Sequence, residues 1–180
     1  MSLTILNGIS EVTKSGSESL STVAKIFSRG LLMGARGNSG VILSQIFRGF
    51  AQYAKDKEEL TVKEFSEALM NGSKMAYKAV MRPTEGTILT VVRESAEYGE
   101  IYINNHPETS IEEFVNYIVD EANASLQRTP ELLDVLKEAH CVDSGAMGYV
   151  TILEGFKSYL QGNPITENLA GSNEESEVSE

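Results

Sequence analysis

Apolar positions in this chain recur every three to four residues, and no stretch alternates apolar and polar residues as a half-buried strand does. Leu3, Ile5, Leu6, Ile9 and Val12 make a first stripe. Leu20, Val23, Ala24, Ile26, Phe27 and Leu31 make a second beyond the loop Ser15-Gly16-Ser17. Val41, Ile42, Ile46, Phe47 and Phe50 mark a third helix from about Ser39 to Tyr53, followed by the charged, solvated connection Lys55-Asp56-Lys57-Glu58-Glu59. Thr61-Val62-Lys63-Glu64 reads as a capping box, in which hydroxyl and carboxylate each satisfy a backbone donor at the helix start. It precedes Phe65, Ala68, Leu69, Gly72, Met75, Ala76 and Ala79 at helical spacing. Arg82-Pro83 ends that fourth helix, because proline disfavours helical geometry in the residue before it.

The second half continues the pattern. Thr84-Glu85-Gly86-Thr87 opens a fifth helix through Ile88, Leu89, Val91, Val92 and Ala96, and Ser110-Ile111-Glu112-Glu113 is a second capping box ahead of Phe114, Ile118, Val119, Ala122 and Leu126. Thr129-Pro130 predicts a further helix with proline at its first position and Leu132, Leu133, Leu136 and Ala139 on its buried face. His140 falls at its carboxyl end, where positive charge is favourable. Asp143 and Ser144 cap a last helix whose stripe is Val150, Leu153, Phe156 and Leu160. About eight amphipathic helices with short connections predict an all-α bundle or barrel.

Four glycines, Gly30, Gly34, Gly37 and Gly40, interrupt the boundary between the second and third stripes. Glycine destabilises a helix interior unless the backbone must bend or be approached closely, so a turn is predicted here. Two readings stay open on spacing alone. A helix start with free N–H groups at Asn38, Ser39 and Gly40 suits a phosphate, and Asn38 and Ser39 are candidate N-caps. Equally, the glycines suit a tight turn in which two backbones pack. The pattern is not a Walker A loop, which ends in Lys-Ser/Thr, and no strand precedes it as in a dinucleotide-binding fold. Thr84, Gly86 and Thr87 form a second helix start of the same kind, where the hydroxyls serve equally as ordinary caps. Arg82 beside them is either a surface charge or a bidentate partner for phosphate. Asp143 and Gly145 divide in the same way between capping with close packing and ligand contact.

The stretch Gly34-Ala35-Arg36-Gly37-Asn38-Ser39-Gly40-Val41-Ile42-Leu43-Ser44-Gln45 resembles the glycine-rich segment of the nucleotide-binding domain of fatty acid kinase, within the family of the dihydroxyacetone kinase nucleotide-binding subunit. Pro83-Thr84-Glu85-Gly86-Thr87-Ile88-Leu89-Thr90 and Val142-Asp143-Ser144-Gly145-Ala146-Met147-Gly148 match in order, so the resemblance covers nearly all of residues 1–162. It implies an antiparallel helical barrel with ATP at one end. The site would be drawn from Gly37, Asn38, Ser39, Gly40, Arg82, Thr84, Gly86, Thr87, Asp143 and Gly145, with the γ-phosphoryl group passing to a substrate held by another protein or domain. The segment around Gly37–Gln45 favours a fatty acid on a carrier protein as acceptor, with dihydroxyacetone as the alternative. A non-catalytic interaction domain, its glycines used only for packing, is a third. The family also implies magnesium held by an Asp-Gly-Asp-Thr-Gly-Thr-Asn-Met element ahead of the first long helix. No Asp-x-Asp occurs in the 180 residues, so no metal ligand is assigned in this chain. The catalytic residues are expected upstream of Met1, and weak Mg-ATP binding without phosphate transfer is expected of the chain as written.

A formal charge of −11 argues against a nucleic-acid or anionic-membrane partner, and no run is apolar and long enough to span a bilayer. With no signal peptide, the expected placement is cytoplasmic. Cys141 is the only cysteine, expected as a small buried residue, and His106 and His140 form no zinc-ligand cluster. Residues 163–180 hold Glu167, Glu174, Glu175, Glu177 and Glu180 with no basic residue, as expected of a disordered tail or linker after a domain at 1–162. A substrate-binding subunit or carrier is the implied partner, and self-association into a homodimer is compatible with the sequence.

Overall fold

A computed structural model of the chain describes residues 1–163; the expected tail lies outside them. The helices are α1 (Ser2–Ser15), α2 (Leu20–Gly34), α3 (Gly37–Tyr53), α4 (Val62–Lys78), α5 (Ile88–Asn105), α6 (Ile111–Leu132), α7 (Asp134–Glu138) and α8 (Ser144–Leu160). No strand occurs among the described residues. From α1 to α6 each helix packs on the next, and α8 lies against α5 and α6, giving the all-α bundle that the periodicity predicts.

The core is centred on α5. Ile88, Leu89, Val91, Val92, Ala96 and Ile103 meet Phe114 and Ile118 of α6, Tyr149, Val150 and Leu153 of α8, and Leu43 and Ile46 of α3. Burying each large aliphatic side chain contributes about 1.5–3 kcal/mol relative to leaving it in water. Edge-to-face pairs Phe27–Phe47, Phe50–Phe65 and Phe65–Phe114 run from α2 through α3 and α4 to α6. Both capping boxes form. The Thr61 hydroxyl accepts the Glu64 N–H at 3.2 Å while the Glu64 carboxylate accepts the Thr61 N–H, and Ser110 with Glu113 repeats the exchange.

Four elements differ from the sequence expectation. On α1, Leu3, Leu6 and Ile9 are 67%, 52% and 41% exposed, while Thr4 and Gly8 are the buried positions. Small residues take this face because α1 and α2 almost touch: a Cβ on Gly30 would stand 2.9 Å from Gly8 Cα. The Asn7 amide meanwhile donates to the Gly30 carbonyl at 2.6 Å. Second, α3 begins at Gly37, two residues before the expected Ser39.

Third, α6 does not stop before Pro130 but runs to Leu132. Proline has no N–H for the Leu126 carbonyl four residues back, and the Thr129 hydroxyl donates to that carbonyl instead at 2.7 Å. The helix expected from Thr129 onward is therefore reduced to the five residues of α7, which bury none of their side chains. Leu132 is half exposed and Ala139 exposed, with His140 following at a φ of 52° and its N–H on the Lys137 carbonyl at 3.2 Å. Fourth, Cys141, expected in the core, is exposed, because the segment after this short α7 stays at the surface.

Candidate functional site

Between α2 and α3 the chain turns through Ala35 and Arg36, and the four glycines around this turn do different work. Gly30 meets Gly8. A Cβ at Gly34 would collide with Asn7, and one at Gly40 would stand 2.7 Å from the Thr4 hydroxyl. These three let α1 lie close against α2 and α3. Gly37 is the exception, with a φ of +68° and nothing within 4 Å of a Cβ built on it. The turn is open there, and its left-handed backbone is what glycine supplies.

Arg36 is the N-cap of α3, and no side chain caps the helix. Asn38 and Ser39 thus lie inside the first turn and are not the caps expected of them. Their own N–H groups are among those that helical hydrogen bonding leaves unpaired, and among the described residues no acceptor reaches them. This is the feature of the turn able to bind an anion.

The loop before α5 is held by a polar network. The Thr87 hydroxyl donates to the Thr84 carbonyl at 2.7 Å and accepts the Leu89 N–H at 3.3 Å, and the Thr84 hydroxyl reaches the Arg82 carbonyl at 3.4 Å. Gly86, at a φ of +81°, donates its N–H to the Thr90 hydroxyl at 2.9 Å. Glu85 accepts from Thr90, from the Tyr77 hydroxyl at 3.0 Å and from Arg93 at 3.1 Å. Burial alone pushes the Glu85 pKa up, but the hydrogen bonds from Thr90, Arg93 and Tyr77 outweigh it and hold the carboxyl below its ordinary range. Arg82 is exposed at the start of the loop, and among the described residues no carboxylate pairs with it.

Thr129 connects this loop to the start of α8. Its side chain is fully buried, and its hydroxyl accepts the Asp143 N–H at 3.1 Å. A Cβ on Gly86 would lie 2.9 Å from the Thr129 carbonyl oxygen and 2.7 Å from Leu133 Cβ. Asp143 caps α8 by accepting the Ala146 N–H at 2.9 Å, and a Cβ on Gly145 would stand 2.8 Å from the Ser39 hydroxyl. The run Ser39, Gly145, Asp143, Thr129, Gly86 is therefore continuous. It brings the glycine turn, the Thr84–Thr87 loop and the Asp143–Gly145 turn to one end of the bundle. Gly40 faces Thr4, Thr84 and Thr87 make hydrogen bonds within their own loop, and Asp143 uses one carboxylate oxygen in its cap.

Sequence reasoning missed Thr129, Tyr77 and Arg93. Thr129 sits 14 residues before Asp143, and Tyr77 and Arg93 lie on different helices, so no local spacing marks them.

Among the described residues, no three His, Cys, Asp or Glu side chains come close enough together to hold a metal ion. Asp143 caps α8 through one carboxylate oxygen, and Glu85 is held in its network. Open depressions occur between α2 and α3, from Ser21 to Leu32 on the α2 side, and at the turn Tyr102–Glu113.

A match to the DAK2 domain spans residues 1–158. The chain is 47% identical over 167 residues to Protein YloV of Bacillus subtilis (strain 168), covering 93% of this chain and 30% of that protein. It is 45% identical over 165 residues to an uncharacterized protein of Staphylococcus epidermidis, covering 92% and 30%. With an uncharacterized protein of Staphylococcus aureus (strain USA300), it is 46% identical over 170 residues, covering 94% and 31%. The chain spans about three tenths of the length of these relatives.

Proposed function

Because the chain belongs to the DAK2 domain family, we propose that it is the nucleotide-binding part of a kinase and that its glycine turn seats the phosphates of ATP. The observation that carries this reading is the uncapped start of α3. Among the described residues the amides of Asn38 and Ser39 have no acceptor, Gly37 leaves the space before them open, and the turns at Gly86 and Gly145 lie alongside. Backbone N–H groups at a helix start are good phosphate donors, since the helix dipole adds a partial positive charge. Arg36 at the turn and Arg82 at the start of the loop before α5 are cations with no carboxylate partner among the described residues. The proposed acceptor of the γ-phosphoryl group is a fatty acid presented by a carrier protein, with dihydroxyacetone as the alternative. Acyl phosphate formed only with the loaded carrier supports the first. The chemistry proposed for these residues is to hold phosphate.

A second reading is favoured by a specific observation. Gly30, Gly34 and Gly40 are accounted for by helix packing, which is what a non-catalytic interaction domain needs. One substitution separates the two. Asn38→Pro removes an N–H that the fold does not use, at a first-turn position where proline is tolerated, so the urea midpoint stays put. Loss of one charge-assisted donor weakens binding by about tenfold or more. Titration of the chain with ATP, followed by amide NMR, is expected to shift Asn38, Ser39, Gly86 and Gly145 and to weaken by that factor in Asn38→Pro. Unchanged binding in the variant rejects the phosphate seat and leaves the packing domain.

A further inference from the structure

The groove between α2 and α3 has a volume of about 810 Å³ and is lined by Lys25, Arg29, Arg48 and Lys55, with Asp56 as the one carboxylate on its wall. This is unusual company in a chain whose formal charge is −11. Elsewhere four cations are paired, Lys14 with Glu11, Lys57 with Glu64, Arg93 with Glu85 and Glu97, and Arg128 with Glu94, while others, Arg36 and Arg82 among them, are not paired among the described residues. None of the four groove cations is paired with a carboxylate among the described residues.

Their placement follows from the helix register. The Ser21 hydroxyl accepts the Asp56 N–H at 3.1 Å, and Phe27 meets Phe47 edge-on with centroids 4.9 Å apart, so the helices run antiparallel. By that register Arg29 stands level with Arg48, Lys25 lies one turn further along, and Lys55 beyond it. Like charges facing each other across a groove destabilise the fold, and an arrangement that breaks a local rule without compensation is expected where something binds. Between them the lining includes the apolar Ile26, Leu32 and Ala51, with Ser28 and Ser44 as its most buried members.

We propose that this groove docks an acidic amphipathic helix of a partner protein. From Ser21 to Leu32 it runs about 16 Å at 1.5 Å per residue, or three helical turns. Lys25 and Arg29 are about 6 Å apart along the axis, which is the spacing of carboxylates at i and i+4 on a helix. A small anion calls for donors converging on a point, whereas these cations are spread along both walls. A third helix laid between two packed helices buries its apolar face on Ile26, Leu32 and Ala51 and sets its acidic flanks on the rims. Among the described residues the lining of the groove holds no aromatic residue on which bases could stack, whereas its apolar residues suit the face of a helix. The inference does not rest on the nucleotide reading, because the groove lies on the α2 and α3 walls and its test uses no nucleotide.

The probe is a fluorescein-labelled synthetic peptide of 14 residues with leucine on one face and glutamate on both flanks, titrated with the full chain. A peptide with lysine in place of glutamate is the control. The acidic peptide is expected to bind saturably and more weakly as salt rises, while the lysine peptide does not bind. In Arg29→Glu/Arg48→Glu the dissociation constant is expected to rise at least tenfold, with the urea midpoint little changed because one exposed facing pair of like charges replaces another. Arg29→Lys/Arg48→Lys is expected to retain binding. Absence of saturable binding overturns the proposal, as does an affinity indifferent to the charge reversal. So does tighter binding of dodecyl phosphate that displaces the peptide, which makes the groove a site for single-chain amphiphiles. Binding seen only after residues 164–180 are removed also overturns it, since the occupant is then the chain's own acidic end.

Discussion

Gly86→Ala is the substitution that tests most directly whether the loops meet as described, and Gly16→Ala is its internal control. Both glycines have a positive φ, +60° at Gly16 and +81° at Gly86. Both variants therefore suffer the left-handed strain of an L-residue, roughly 1–2 kcal/mol, partly offset by a gain of about 0.4–1 kcal/mol from a stiffer unfolded chain. They differ in surroundings. Nothing lies within 4 Å of a Cβ at Gly16, whereas at Gly86 the new methyl would stand 2.7 Å from Leu133 Cβ and 2.9 Å from the Thr129 carbonyl. Moving those atoms is an overpacking cost of about 1–3 kcal/mol. The Thr129 carbonyl is not free to move cheaply, because it accepts the Leu133 N–H at 3.2 Å. The net expectation is a loss of about 1 kcal/mol for Gly16→Ala and about 2–4 kcal/mol for Gly86→Ala. Urea unfolding followed by circular dichroism reads this directly. With a slope of about 2 kcal/mol per M, Gly86→Ala should bring the midpoint down by about 1–2 M and Gly16→Ala by about 0.5 M. If the two variants lose the same stability to within about 0.5 kcal/mol, Gly86 is not wedged against α6 and the continuity of the site end is wrong.

Three further expectations follow from the contacts of Thr129, Glu85 and Tyr149. Thr129→Val keeps the shape but strands the buried Leu126 carbonyl and the half-buried Asp143 N–H, a loss of about 2–4 kcal/mol for two unsatisfied groups. Thr129→Ser should stay within about 1 kcal/mol of the parent, and a Val variant that unfolds at the parental urea concentration refutes the connection. In pH-dependent unfolding, Glu85 has a folded pKa below the ordinary 4.5, so its contribution is present above that value and lost as the pH falls through the folded one. Glu85→Gln should flatten the acid limb. Tyr149 is pushed by burial from 10.0 to about 12. Its contribution is present below pH 10 and lost as the pH rises toward 12, and Tyr149→Phe should remove that decline. Acid and alkaline limbs unchanged in the two variants count against these environments.

The helices were legible because their signals are local. Thr61 with Glu64 and Ser110 with Glu113 lie three residues apart, and the apolar stripe of α5 repeats within one turn. What the sequence could not give is decided by contacts between distant residues. Leu3, Leu6 and Ile9 look like a core stripe, yet the contact with α2 selects Gly8 and Thr4 because only small residues admit Gly30. Pro130 looks like a helix start until the Thr129 hydroxyl takes over the bond its ring cannot make. The three candidate loops were visible as glycine and hydroxyl clusters, and their meeting was not, because it passes through Thr129 and the buried approach of Gly145 to Ser39.

The placement of charge gives this meeting its physical sense. Residues 1–162 carry a net −6, a poor setting for a polyphosphate if side chains alone set the field. Helix polarity acts differently. The starts of α3, α5 and α8 are drawn together by Ser39, Thr129 and Gly145, and Met1 at the start of α1 abuts Gly148. Each helix start carries about half a positive charge, effective only within its first turn. Thr87 and Asp143 answer part of that at α5 and α8 with their own oxygens, while α3 has no side-chain cap and the open Gly37 turn in front of it. An acidic protein can thus favour an anion at one end without a cluster of basic side chains there. Four of its 15 lysines and arginines stand instead in the α2 and α3 groove. The two anion-favouring features therefore differ in kind. Exposed cations in a groove are screened by salt over a Debye length of about 8 Å, whereas a phosphate in direct hydrogen-bond contact with Asn38 and Ser39 would be held at a range that screening hardly reaches.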